Sequence, residues 1–113
     1  MAREMRKIIL SKDELVAALE SYKRTDFEFL PAGKIVNCEL KAGAPVTVGI
    51  ETTFANKIQT TDFHLDAHRL LEPMIRYCLE NNIVLPRNSK KSALIGDGLA
   101  ALYIQIGPPA EGI

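Results

Sequence analysis

Arg87, Lys90 and Lys91 are the residues of this 113-residue chain whose types and spacing come nearest to a binding site. No acidic residue stands between Glu80 and Asp97, in a chain whose formal net charge is zero. Lysine offers a point charge and arginine a planar forked donor, a pairing suited to carboxylate or phosphate oxygens. The loop at 87–91 is therefore expected to contact an acidic protein patch or a nucleic-acid backbone. A connector of the same composition would serve only to keep the following strand from pairing with other chains. Tyr103 is the one aromatic in the hairpin that follows, so a base-stacking platform is not expected.

His64, His68 and Glu72 recur every four residues. On one helix they would line one flank, where two histidines and a carboxylate could share a divalent metal. The HExxH pattern is missing and no cysteine pair lies nearby, so no metal or cofactor is expected, and partly buried, hydrogen-bonded histidines bordering the apolar arc are the competing reading. Cys38 and Cys78 fall on apolar faces, where a thiol packs as a small hydrophobe. Pro31-Ala32-Gly33-Lys34 lacks the first glycine of a phosphate-binding loop, and Ile35 stands where a magnesium-holding hydroxyl belongs. Gly96-Asp97-Gly98 opens no helix and so has no dinucleotide context. No serine, cysteine or threonine is visibly paired with a base. The chain reads as non-catalytic.

The elements that must position these groups follow from periodicity. Ile8, Ile9 and Leu10 form a short strand from Arg6 to Leu10. Ser11 and Glu14 then make a capping box, opening a helix over Lys12–Lys23 with Leu15, Ala18, Leu19 and Tyr22 on one face. Asp26–Leu30 alternates as a short strand. Lys34–Leu40 and the stretch 46–51 alternate as a hairpin, and a third strand near Asn56–Thr61 completes a meander. From Leu65 or Asp66 to Asn81 the period is helical, with Pro73 on the solvent side and a kink or break expected there. Lys91–Ile95 and Leu99–Ile106 pair across Gly96-Asp97-Gly98. Residues 107–113 read as a flexible tail.

The order strand, helix, three or four strands, helix, hairpin predicts one α+β domain over residues 1–106. Its expected form is two layers, an antiparallel sheet of about five to six strands with two helices on one face. With 47% hydrophobic and 25% charged residues the chain belongs with globular rather than disordered sequences. Zero net charge argues against bulk electrostatic binding to nucleic acid. Two cysteines do not make a disulfide framework, and no apolar run is long enough to span a membrane. A cytoplasmic protein is expected.

The helix–three strands–helix order is similar to that of double-stranded-RNA-binding domains. That family grips phosphates with a basic cluster opening its second helix, whereas this chain has His64-Leu65-Asp66-Ala67-His68 there, preceded by Asp62. Val84-Leu85-Pro86-Arg87 with Gly96-Asp97 resembles the swapped-hairpin DNA-binding modules of bacterial transition-state regulators and antitoxins over a short run. Here a long helix precedes that run where those modules have a strand. Neither resemblance extends beyond these features. A small binding module is the expected function, with a structural or protein-interaction homodimer pairing through an exposed edge strand as the alternative.

Overall fold

In the computed structural model the first and last of the described strands pair with each other. Residues 4–106 are described. The expected tail at 107–113 lies outside them. The order is β1 (Glu4–Ser11), α1 (Lys12–Thr25), β2 (Lys34–Glu39), β3 (Val46–Phe54), β4 (Lys57–Leu65), α2 (Ala67–Glu80), β5 (Ser89–Gly96) and β6 (Leu99–Ile106).

Six strands form two three-stranded antiparallel sheets, ordered β1-β6-β5 and β2-β3-β4, where a single sheet was expected. The division arises because the β5–β6 hairpin pairs with β1, not with the meander. Side-chain period fixes which face of a strand is apolar but not which strand lies beside it. One core unites the two sheets with both helices, drawing on Leu10, Ile95, Leu102 and Ile104 from the first and Ile35, Val48, Ile50 and Leu65 from the second.

Ser11 caps α1 as its sequence requires. Its hydroxyl accepts from the Glu14 N–H, and the Glu14 carboxylate accepts from the Ser11 N–H at 3.0 Å. Leu15, Ala18 and Leu19 are buried on the core face. Lys23 is buried too, its ammonium donating to the Gly33 carbonyl and standing 3.6 Å from Glu20 Oε1. Glu20 also accepts from the Ile35 N–H at 2.9 Å, so this pair fastens α1 to the start of β2.

Three local expectations are corrected. Asp26–Leu30 is a turn and not a strand: Asp26 caps α1, its carboxylate accepts from the Glu28 N–H, and Phe29 packs edge-on against Tyr22. A short acidic side chain that bonds nearby backbone competes with strand formation. The third meander strand runs through Leu65, beyond the expected Thr61, and Asp66 rather than Leu65 marks the start of α2 by capping the Arg69 N–H. Pro73 is buried, not solvent-facing, and α2 continues unbroken through it. The helix packs on α1 along one flank and on β5 along another, which turns its buried arc toward Pro73 and leaves Leu79 60% exposed.

The β3–β4 hairpin projects from this core. Ala55 and Asn56 both adopt positive φ, the backbone a two-residue turn requires when its twist must match the strands. Residues 53–62 are exposed throughout, and the molecule extends 62 Å along its longest axis.

Candidate functional site

Register determines where the three expected cations go. Lys90 and Lys91 are not in a loop: they are the second and third residues of β5, so their side chains leave opposite faces of the sheet. Lys91 shares the helix side with Ile104 and Arg6, its partners across the sheet. Its ammonium donates to the Pro86 carbonyl at 3.1 Å and to Ser89 Oγ at 2.9 Å, while Ser89 Oγ donates to the same carbonyl. Lys91 thus closes the turn that leads into β5. Arg87 is exposed in that connection, and Lys90 is exposed on the opposite, open face. The sequence spacing could not show this division, because it follows from the strand beginning at Ser89.

The open face of β1-β6-β5 carries a second cation that sequence reasoning passed over. Lys7 lies in the row Lys7–Tyr103–Ser92, its ammonium 5.7 Å from the centre of the Tyr103 ring. Lys90 lies in the adjoining row, Met5–Gln105–Lys90. On the other side of Tyr103 the row is Ile9–Ala101–Leu94. Ala101 is 2% exposed, yet it stands outside the core cluster. Its cross-strand neighbours Ile9 and Leu94 are 50% and 54% exposed. The last row is Ser11–Leu99–Gly96. No strand position on this face holds a carboxylate. The available signal was Leu99–Ile104, an almost unbroken apolar run, as expected of a strand flanked by apolar neighbours on both faces.

His64, His68 and Glu72 do not line one flank. His64 is the last residue but one of β4, with Nδ1 3.2 Å from Thr47 Oγ1, whereas His68 and Glu72 lie on α2 beyond the Asp66 cap. All three are exposed. Among the described residues no group of three or more His, Cys, Asp or Glu side chains is arranged to hold a metal ion.

The Arg69 guanidinium lies 5.4 Å from the Phe29 ring and donates to the Phe29 carbonyl at 3.4 Å. Cys38 and Cys78 are buried and unbonded. Burial pushes both thiols up, with the Lys12 charge offsetting part of the effect at Cys38, so neither is poised as a thiolate. No helix among the described residues is long and apolar enough to cross a membrane. No protein-family model matches the chain, and neither a curated protein nor a solved structure matches it.

Proposed function

We propose that this protein is a non-catalytic binding module that docks an acidic, apolar-centred surface of a partner protein on the open face of β1-β6-β5. The observation that carries the reading is a face apolar in its middle, cationic toward one end and without a carboxylate at any strand position. Ile9 and Leu94 supply desolvated contact around Ala101. Lys7 and Lys90 supply attraction, and Arg87, exposed in the connection just before β5, adds a directional donor at the Lys90 end. Lys91 is assigned to the turn and not to the contact, because its ammonium is already engaged. A protein partner is preferred over nucleic acid because Tyr103 is the only aromatic on the face and the whole chain is electrically balanced. Two buried, unbonded thiols favour a reducing compartment such as the cytoplasm.

Backbone amide NMR during titration with a synthetic Glu- and Leu-rich peptide tests this. Shifts are expected at Lys7, Ile9, Leu94 and Tyr103, weakening with added salt and vanishing in the Lys7→Glu, Lys90→Glu double variant. Perturbation confined to other surfaces, or binding that survives the double variant, overturns the assignment. Preferential binding of a single-stranded oligonucleotide would overturn the partner class instead.

A further inference from the structure

Between the last turn of α1 and the entry to β2 the chain shapes a cavity of about 360 Å³, lined by Lys23, Arg24, Phe27, Leu30, Ala32 and Gly33. Small-molecule sites commonly span roughly 300–1,000 Å³. The apolar groups of this turn have different fates. Phe29 packs edge-on against Tyr22 and Leu30 enters the core, but Phe27 stays 85% exposed at the cavity. The cavity therefore joins a buried leucine to an uncovered aromatic ring.

Its charged lining is Lys23 and Arg24 alone. An ammonium carries three donors. Lys23 is 9% exposed, and among the described residues only the Gly33 carbonyl lies within hydrogen-bond reach of its ammonium. Glu20 Oε1, at 3.6 Å, stands outside that reach. A buried charge with donors to spare gains from a further acceptor. Arg24 Nε donates to the Glu20 carbonyl at 3.2 Å, which anchors the side chain and leaves its terminal nitrogens without a partner among the described residues. The nearest carboxylates in sequence, Glu20, Asp26 and Glu28, do not line the cavity. Glu20 Oε1 accepts from the Ile35 N–H, and Asp26 Oδ1 from the Glu28 N–H. The negative end of α1 is also partly satisfied, since the Tyr22 carbonyl accepts from the Asp26 N–H and the Thr25 hydroxyl.

From the spare donors and the apolar lining we infer that this cavity binds a small monocarboxylate with an apolar ring. The two carboxylate oxygens match the planar fork of Arg24, and one of them also accepts from Lys23. The ring lies against Phe27 and Leu30. Because Glu20, Asp26 and Glu28 balance the local charge, recognition rests on short directed bonds and not on a broad positive field. The inference goes beyond the partner surface proposed above, for none of the lining residues lies on β1, β5 or β6.

The test is backbone amide NMR of the intact chain titrated with phenylacetate, with phenylacetamide and acetate as controls. Saturable shifts are expected at Lys23, Arg24, Phe27 and Ala32, and none at Lys7 or Tyr103. Phenylacetamide keeps the ring but loses the charge, and should bind about tenfold more weakly or worse. Acetate keeps the charge but loses the ring, and should not saturate. Arg24 and Phe27 are exposed, so Arg24→Gln and Phe27→Ala should each weaken phenylacetate while leaving the far-ultraviolet circular dichroism unchanged. Absence of saturable shifts at millimolar phenylacetate overturns the inference, and the two cations then serve only the end of α1. Equal affinity for phenylacetamide, or binding that survives Arg24→Gln, overturns the carboxylate. Acetate binding as tightly as phenylacetate overturns the apolar ring.

Discussion

Asp97 Oδ1 accepts a hydrogen bond from the Ala42 N–H at 2.8 Å, joining the β5–β6 turn to the loop between β2 and β3. The Gly98 N–H donates to the Leu40 carbonyl at 3.0 Å in the same place. These bonds bridge the two sheets at a point where neither sheet's own ladder reaches. Asp97 is thus a connector between sheets as well as a turn former. Asp97→Ala should cost about 1 kcal/mol, the net value of one exposed side-chain bond. Asp97→Asn, which keeps the accepting oxygen, should cost clearly less. Urea unfolding of the two variants checks the order, and equal losses would show that the charge and not the bond matters.

Gly33 makes a sharper prediction. Its φ is +134°, and a Cβ there would lie 2.3 Å from the Glu51 carbonyl oxygen and 2.9 Å from Ile50 Cγ2. The glycine that gives Pro31-Ala32-Gly33-Lys34 its superficial likeness to a phosphate loop is present so that the chain can enter β2 against β3. Gly33→Ala should cost about 2 to 3 kcal/mol, combining backbone strain with displacement of the neighbouring strand. Gly43 is the control: its φ is +76° and nothing lies within 4 Å of an added Cβ, so its alanine variant should lose only about 1 kcal/mol. Chemical denaturation of both proteins compares them.

What could be read in the chain was local. Ser11 and Glu14 determine where α1 begins because both halves of the capping box lie within four residues. Both helices, both hairpins and the α+β class follow from period and turn residues in the same way. The pairing of β1 with β6 could not be read, since it joins opposite ends of the chain and any apolar strand face would have satisfied it. The candidate site failed for a related reason. Lys90 and Lys91 look like one cluster in sequence, but alternation along β5 separates them, whereas Lys7 and Lys90 are brought onto one face only through β6. Ile9 stands between Ile8 and Leu10 in one apolar run. Strand period sends it to the opposite face.

Cys38 and Cys78 should behave as packing groups. Both are buried, and burial raises both thiols, so attack by a disulfide reagent requires opening of the fold. Ellman's reagent should find no reactive thiol in the native protein within minutes and two in guanidinium chloride. Rapid native labelling of either cysteine would contradict the packing described for β2 or α2. Cys78→Ser should lower stability by about 1 to 3 kcal/mol, because it places a hydroxyl without an assured partner among apolar neighbours.

Glu14 supplies a pH dependence whose sign is set by its cap. The Ser11 backbone N–H, followed by the Ser11 hydroxyl, holds its carboxyl below the usual carboxylate range, because both favour the ionised form. A group whose folded value is depressed contributes stability that is complete above its unfolded value, about pH 4.3, and fades as pH falls through the lower folded value. Glutamine at this position keeps an amide oxygen able to accept from Ser11 but carries no charge to titrate or to complement the helix N-terminus. Glu14→Gln should therefore lower Tm at pH 7, and the gap from the unaltered protein should close on acidification below the folded value. Glu14 is exposed, so the gap should also shrink in high salt. A Tm difference constant from pH 7 to pH 2 would mean that the variant acts through packing and that the ionised cap contributes nothing.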